Sequence, residues 1–182
     1  NNVLMRSIFD MGVPVSGKNL FPSNIAGLPT WFTIRACKHG YVARKKEVDL
    51  LVAMNAQTAK EDVLDLPAGA AVVYEETLKL GHLRSDILFY PVPFAELAKE
   101  IVPEAKLRKL LANMIYVGVL AQLLSIDEET VDRSIVKQFK GKNKAIELNR
   151  RAVEAGSEYA RKNLEKKDLL RIEPMSATEG KI

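Results

Sequence analysis

Three short apolar runs separated by helix-length segments constrain this chain more than any other feature of its sequence. The runs cover residues 48–54, 70–74 and 87–90, and helical patterns follow them at 56–66 and 94–101. A strand buried on both faces has a nearly continuous apolar sequence, as in parallel sheets. Strand–helix–strand alternation requires right-handed crossovers. We therefore predict an α/β fold: a Rossmann-like three-layer domain with a mostly parallel sheet.

The N-terminal part predicts a different arrangement. Residues 1–11 have a helical apolar face and precede a short strand at 13–16. Residues 17–29 are rich in turn formers and predict a long loop. β-branched and aromatic residues at 30–37 predict a strand, and a short edge strand is possible at 41–44.

The C-terminal part is expected to be helical, over residues 105–124, 127–139 and 142–163. Ser125 followed three residues later by Glu128 matches a capping box, so we predict Ser125 as the N-cap of the second helix.

The two ends of the chain suggest how the domain is organised. A doubly wound sheet begins with a strand and a glycine-rich turn, whereas the first element here is a helix, so the first strand is expected to be missing. We predict one domain over residues 1–163. Residues 164–182 are expected to form a linker that leads into a following domain.

Composition limits the possible classes of protein. With 182 residues and 47% hydrophobic content, the chain can bury one substantial core. Apolar runs are too short for a membrane span, and no secretory leader is evident, so a cytoplasmic protein is expected. The single cysteine, Cys37, is expected to be buried core material, and it excludes an internal disulfide or a locally held iron–sulfur or zinc site.

The charges are segregated along the chain. Residues 1–47 hold seven Lys/Arg and two Asp/Glu, whereas residues 48–139 hold nine and fourteen. Such asymmetry favours an anionic ligand or a charged partner surface. No basic stripe with interleaved aromatic residues is present, so we expect no nucleic-acid binding. His39 and His82 are expected to be surface groups, and neither belongs to a catalytic triad.

The segment 17–35 is the candidate binding region, since long ordered loops often carry ligands. It contains two cations, three small hydrogen-bonding residues and a glycine that permits close backbone approach: Lys18, Arg35, Asn19, Ser23, Asn24 and Gly27. Such a set could hold a phosphate, a carboxylate or a partner's backbone. A surface turn with solvated cations remains the alternative.

Four segments of the sequence resemble the gamma domain of 2-oxoacid:ferredoxin oxidoreductases. They are FPSNIAGLPTWFTIR (21–35), VDLLVAMN (48–55), NMIYVGVLAQLLSID (113–127) and FKGKNKAIELNRRAVEAGSEYA (139–160). Trp31 and the long C-terminal tail are most similar to the form in which gamma and alpha parts are fused, as in enzymes of the 2-oxoglutarate type. This resemblance implies that residues 164–182 lead into a thiamine-pyrimidine domain.

The resemblance implies a function for the whole enzyme. Such an enzyme converts a 2-oxoacid, here 2-oxoglutarate as the first expectation, to acyl-CoA and CO2 and reduces ferredoxin. It uses thiamine diphosphate, Mg²⁺, [4Fe–4S] clusters and coenzyme A, and none of these is expected to be held fully by this chain. The partners implied are the alpha and beta parts of the same enzyme.

The resemblance implies no catalytic or metal-binding residue in this chain. Instead the gamma domain is expected to help enclose coenzyme A, with Lys18, Ser23, Asn24 and Arg35 facing coenzyme A or a neighbouring subunit. Two alternatives remain. A stand-alone Rossmann-like nucleotide-binding module would need an acidic residue after the second strand, where Ser16, Gly17 and Lys18 stand instead. A subunit-binding scaffold would use the basic N-terminal third.

Overall fold

The computed structural model describes residues 1–21 and 29–181. Its α-helices are α1 (Asn2–Asp10), α2 (Ala59–Leu64), α3 (Phe94–Ile101), α4 (Ala105–Leu123), α5 (Glu128–Gln138) and α6 (Asn143–Asn163). Its strands are β1 (Val15–Leu20), β2 (Trp31–Ala36), β3 (Leu50–Ala53), β4 (Ala71–Glu75) and β5 (Leu88–Val92). Two short 3-10 helices follow β4, at Glu76–Leu78 and Leu80–His82. None of the helices in these ranges is long and apolar enough to cross a membrane.

The three apolar runs form a parallel sheet in the order β3-β4-β5, as predicted. Leu50 of β3 lies beside Ala71, and Val73 of β4 lies beside Tyr90. β4 is the central strand, which explains why Ala71, Val72 and Val73 are completely buried. β1 and β2 form a separate antiparallel pair.

The parallel sheet separates two apolar cores. Successive side chains of a strand point to opposite faces. Accordingly, Ala71 and Val73 belong to the core covered by α1 and by α3 to α6, while Val72 and Tyr74 belong to the core covered by α2. Helices therefore lie on both faces of the sheet, and the prediction of a Rossmann-like three-layer α/β fold is confirmed.

Two predictions about local structure near the N-terminus were wrong. The strand predicted at 13–16 continues to Leu20, because Gly17 to Leu20 pair with residues 31–34 of β2. The predicted loop therefore begins later. The edge strand predicted at 41–44 is not formed, and this segment is irregular.

The N-cap prediction for α5 was also wrong. Ser125 has a positive φ of 56° and no capping role, while Asp127 is the N-cap and its side chain accepts a 2.9 Å hydrogen bond from the backbone of Thr130. Both residue types are favoured at an N-cap. The turn that follows α4 places Asp127 at the helix start.

Residues 164–181 contain no helix or strand but are fastened to the rest of the chain. The hydroxyl of Tyr90 donates to the Asp168 carboxylate at 2.5 Å and accepts from the backbone of Lys167 at 2.9 Å. The same carboxylate accepts from Lys166 Nζ at 2.6 Å and from the backbone of Leu170 at 2.8 Å. Asp168 is thus a buried anchor, with a side chain only 5% exposed.

Further along, the segment is held by backbone hydrogen bonds. Ile172 donates to the carbonyl of Leu124 at 2.7 Å, and Met175 donates to the carbonyl of Met11 at 2.8 Å. Gly12 makes this second contact possible, since a Cβ there would overlap the carbonyl of Met175. The division into a domain at 1–163 and a linker remains a prediction.

Candidate functional site

The pairing of β1 with β2 decides which candidate residues lie together. Lys18 is opposite Thr33, and Arg35 is opposite Ser16, so Lys18 and Arg35 are diagonal neighbours on one face of the hairpin. Asn19, one residue along, points to the other face. The structure therefore brings the two cations together and separates them from Asn19. Ser23, Asn24 and Gly27 lie outside the described residues.

The face that carries Gly17 packs closely on helix α1. A Cβ at Gly17 would overlap Met5 Sδ and would lie 2.7 Å from Phe32 Cζ. A side chain at this position would have to displace the ends of the Met5 and Phe32 side chains, whereas glycine lets the hairpin lie close to α1 without such a shift. Lys18 and Arg35 consequently lie on the face turned away from α1.

Arg35 is engaged by the segment that follows β2, residues 38–46, which we call the flap. Its guanidinium donates to the carbonyl of Ala43 and lies over the ring of Tyr41, with 5.6 Å between Arg35 Cζ and the ring centroid. Ser16 Oγ donates to the carbonyl of Val42 at 3.2 Å. These contacts hold the flap against the hairpin, although the flap does not pair with the hairpin as a β-strand.

Cys37 stands where β2 turns into the flap. It is half-buried, so the expectation of a fully buried cysteine was wrong. Hydrogen bonds from the backbone N–H groups of His39 and Tyr41 lower the pKa of its thiol, and the positive charge of Arg35 adds to this effect against the opposing influence of burial.

Trp31 connects the hairpin to the α2 side of the sheet. Its indole N–H donates to Asp62 Oδ1 of α2 at 3.0 Å. Trp31 follows the same alternation as Thr33 and Arg35, so this hydrogen bond lies on the hairpin face that carries the two cations. The contact helps to set where that face lies relative to α2.

The charge of this region has a single sign. Residues 11–46 contain six cations and no acidic residue. The cations are Lys18, Arg35, Lys38, Arg44, Lys45 and Lys46, all exposed apart from the half-buried Arg35. A surface of this kind attracts an anionic ligand or an acidic partner.

His82 and Glu75 each make a local contact with the backbone. His82 Nδ1 lies 2.7 Å from the carbonyl of Lys79, and its ring is exposed, as is that of His39. Glu75 Oε2 accepts a 3.0 Å hydrogen bond from the backbone of Ala95, at the start of α3. Neither arrangement forms an acid–base pair.

The described residues offer no metal centre. Among residues 1–21 and 29–181, no three His, Cys, Asp or Glu side chains come close enough to hold a metal ion. A [4Fe–4S] cluster needs four thiolates, and the 182 residues contain one cysteine. These residues do not fit an iron–sulfur cluster by themselves.

Tyr41 and Val42 are surface features that the sequence analysis did not single out. Their side chains are 61% and 75% exposed, and both belong to the flap. The only sequence signal is an aromatic–aliphatic pair placed between Gly40 and a run of cations. Their exposure follows from the way Ser16 and Arg35 hold the flap.

Comparison with known sequences places nearly all of the chain in one family. Residues 1–159 match the family described as pyruvate ferredoxin/flavodoxin oxidoreductase. The ketoisovalerate oxidoreductase subunit VorA of Methanothermobacter marburgensis is 34% identical over 119 residues, which cover 64% of this chain and 24% of that protein. The alpha subunit of 2-oxoacid:ferredoxin oxidoreductase 2 of Aeropyrum pernix is 24% identical, over 87% of this chain and 31% of that protein. The chain thus spans only a quarter to a third of the length of these relatives.

Similar solved structures share the fold. The 2-oxoglutarate:ferredoxin oxidoreductase of Magnetococcus marinus matches 96% of this chain and 30% of its own, with a TM-score of 0.82 and 23% identity. The gamma subunit of the keto/oxoacid ferredoxin oxidoreductase of Geobacter sulfurreducens matches 88% of this chain and 89% of its own, with a TM-score of 0.68 and 17% identity. The PORC subunit of pyruvate oxidoreductase from Thermotoga maritima has a TM-score of 0.65 at 17% identity, and covers 86% of this chain and 85% of its own.

Proposed function

The chain belongs to the pyruvate ferredoxin/flavodoxin oxidoreductase family, and on this premise we propose that it is the gamma-type part of a 2-oxoacid:ferredoxin oxidoreductase. The match over residues 1–159 carries the proposal. The whole enzyme would decarboxylate a 2-oxoacid, transfer the acyl group to coenzyme A and pass two electrons to ferredoxin. We place it in the cytoplasm, where a lone unpaired cysteine stays reduced.

In this proposal the other parts of the enzyme hold the redox and thiamine chemistry. Thiamine diphosphate with Mg²⁺ supplies the carbanion stabilisation for decarboxylation, and [4Fe–4S] clusters carry the electrons. Both belong to alpha and beta parts that pack beside this chain. The single cysteine and the lack of a metal centre among the described residues support this division. The division also fits a fused gamma–alpha subunit, in which residues 164–182 lead into the next domain.

The proposed role of this chain is to help enclose coenzyme A. The Magnetococcus marinus enzyme was solved with 2-oxoglutarate, coenzyme A and succinyl-CoA bound, which supports a coenzyme A site in this enzyme too. Coenzyme A carries phosphates, and Lys18 presents an exposed ammonium on the cationic face of the hairpin. Arg35 is a weaker candidate, since Ala43 and Tyr41 already occupy its guanidinium. Ser23 and Asn24 remain candidates from the sequence.

The proposed 2-oxoacid is 2-oxoglutarate, on the basis of the Trp31 variant of the loop and the long tail. A branched-chain 2-oxoacid is the second candidate, because the 34% identity to VorA is higher than the identity to the 2-oxoglutarate enzyme. We assign none of the described residues to a contact with the side chain of the 2-oxoacid.

Steady-state assays of the intact purified enzyme test the activity. We expect ferredoxin reduction that requires coenzyme A, with a higher kcat/KM for 2-oxoglutarate than for pyruvate or 3-methyl-2-oxobutanoate. Preference for 3-methyl-2-oxobutanoate would select the second candidate. Absence of coenzyme A-dependent reduction with all three acids would refute the proposal.

Replacing Lys18 tests the coenzyme A site. Loss of one solvent-exposed contact between an ammonium and a phosphate is worth about 1 kcal/mol, so Lys18→Ala should raise the KM for coenzyme A by about fivefold at unchanged kcat. Lys60→Ala, at an exposed lysine of α2, is the matched control and should leave this KM unchanged. An unchanged KM in Lys18→Ala would remove the site assignment.

A further inference from the structure

We infer that the flap and the groove beside it form a docking surface for an acidic protein segment that carries one apolar anchor residue. The inference rests on the proposed function only in placing that segment in another subunit of the same enzyme. Of the residues it uses, only Arg35 is also a candidate in the proposed coenzyme A site, and there it is the weaker one.

Part of this surface is apolar. Tyr41 and Val42 are adjacent and mostly exposed, and they border a groove of about 210 Å³. Phe9, Pro14 and Val15 also line the groove, as do Ala177 and Thr178 of the tail. Binding energy at protein interfaces concentrates where an aromatic or apolar side chain fills such a pocket. The groove therefore has the shape and chemistry to receive one apolar side chain of a partner.

The rim of the surface selects the charge of the partner. Lys38, Arg44, Lys45 and Lys46 are exposed on the flap, and Lys181 lines the groove. No acidic residue occurs between positions 11 and 46 or in the lining of the groove, while Asp10 and Glu179 line the adjoining cavity. A rim of one sign repels basic partners and steers acidic ones, so the anchor residue is expected in a segment rich in Asp and Glu.

The surface is organised before any partner arrives. Ser16 and Arg35 hold the carbonyls of Val42 and Ala43, and the Arg35 guanidinium lies against the Tyr41 ring. These contacts keep the Tyr41 and Val42 side chains outward. A surface already in its bound conformation loses less entropy on binding. Arg35 is thus a positioning residue for the flap.

Photo-crosslinking in the native complex tests the inference directly. With p-benzoylphenylalanine in place of Val42, we expect crosslinks to a peptide of another subunit that contains more Asp and Glu than Lys and Arg. The same substitution at Leu169, which is 95% exposed on the tail, is the control and should not yield that peptide. Crosslinks confined to this chain, crosslinks to a basic peptide, or none at all would overturn the inference.

Charge reversal gives a second, independent measurement. The double variant Lys38→Glu with Arg44→Glu should weaken retention of that subunit by about tenfold in apparent Kd at low ionic strength, because two rim charges become repulsive. Lys60→Glu should retain the subunit as the unmodified enzyme does. Equal retention by both variants would contradict the inference.

The proposed coenzyme A site and the proposed docking surface can be refuted independently of each other. If Lys18→Ala leaves the KM for coenzyme A unchanged while position 42 still crosslinks to an acidic peptide, the coenzyme A site is wrong and the docking surface stands. If the KM rises but position 42 gives no such crosslink, the docking surface is wrong.

Discussion

Gly118 of α4 and Gly156 of α6 form a reciprocal contact in which each glycine lies against the backbone of the other helix. A Cβ at Gly118 would overlap the carbonyl oxygen of Val153 and lie 2.9 Å from the amide nitrogen of Ser157. A Cβ at Gly156 would overlap the carbonyl oxygen of Ile115. The two longest helices of the described residues therefore touch at the level of their main chains.

Adding a methyl group at this contact should separate the helices. We expect Gly118→Ala to lower the free energy of unfolding by about 1–3 kcal/mol, since the neighbouring atoms are backbone and cannot rotate away. Urea unfolding followed by circular dichroism measures the change. Gly81→Ala is the control, because a Cβ there meets only Tyr74 Oη at an ordinary 3.5 Å. Similar stability for both variants would show that the helices are not in close contact.

The start of α5 offers a direct comparison between two capping assignments. Asp127→Ala should cost about 1 kcal/mol, because the Thr130 amide loses its acceptor. Ser125→Gly should be neutral or stabilising, since Ser125 has a positive φ that glycine adopts without strain. Thermal and urea unfolding of the two variants measure both effects. The reverse order of stabilities would support Ser125 as the cap.

Protonation of Asp168 should release the tail. Burial acts to raise the pKa of this carboxyl, but hydrogen bonds from Lys166, Tyr90 and the Leu170 backbone outweigh it, so the folded pKa lies below the ordinary 3.8. A carboxyl whose pKa is lowered by folding contributes stability that is fully present above pH 3.8. This stability is lost as the pH falls through the lower pKa of the folded protein.

Hydrogen exchange of the tail amides tests whether the Asp168 carboxylate holds the tail. Asp168→Asn should speed exchange of the amides in residues 164–175 by about tenfold or more at neutral pH, since hydrogen bonds to a charged group are lost. Glu165→Gln, at a side chain that is 83% exposed, should leave exchange unchanged. Unchanged protection in Asp168→Asn would mean that this carboxylate does not anchor the tail.

Tyr116 should make stability depend on alkaline pH. Burial raises the pKa of its phenol to about 12 from the ordinary 10. A raised pKa means that the full stability is present below pH 10 and falls as the pH rises through 12, by up to about 3 kcal/mol. Ultraviolet titration should show a late tyrosinate step that is absent in Tyr116→Phe and retained in Tyr41→Phe. Retention of the late step in Tyr116→Phe would assign it to another residue.

Local sequence patterns were enough to predict most of the layered fold. The three apolar runs became β3, β4 and β5, and the helix predicted at 94–101 has the bounds Phe94–Ile101. Burial on both faces of a strand and the repeat of a helix are properties of neighbouring residues, so they are visible in the chain itself. The same holds for the cationic character of residues 11–46.

Tertiary structure alone decided which side chains meet. Tyr90 and Asp168 are 78 positions apart, and no periodicity connects them. Likewise, the sequence does not show that the Arg35 guanidinium donates a hydrogen bond to the carbonyl of Ala43 in the flap. Hydrogen-bond partners depend on how distant segments pack, and a polar residue has the same local sequence whether its partner is water, a ligand or its own chain.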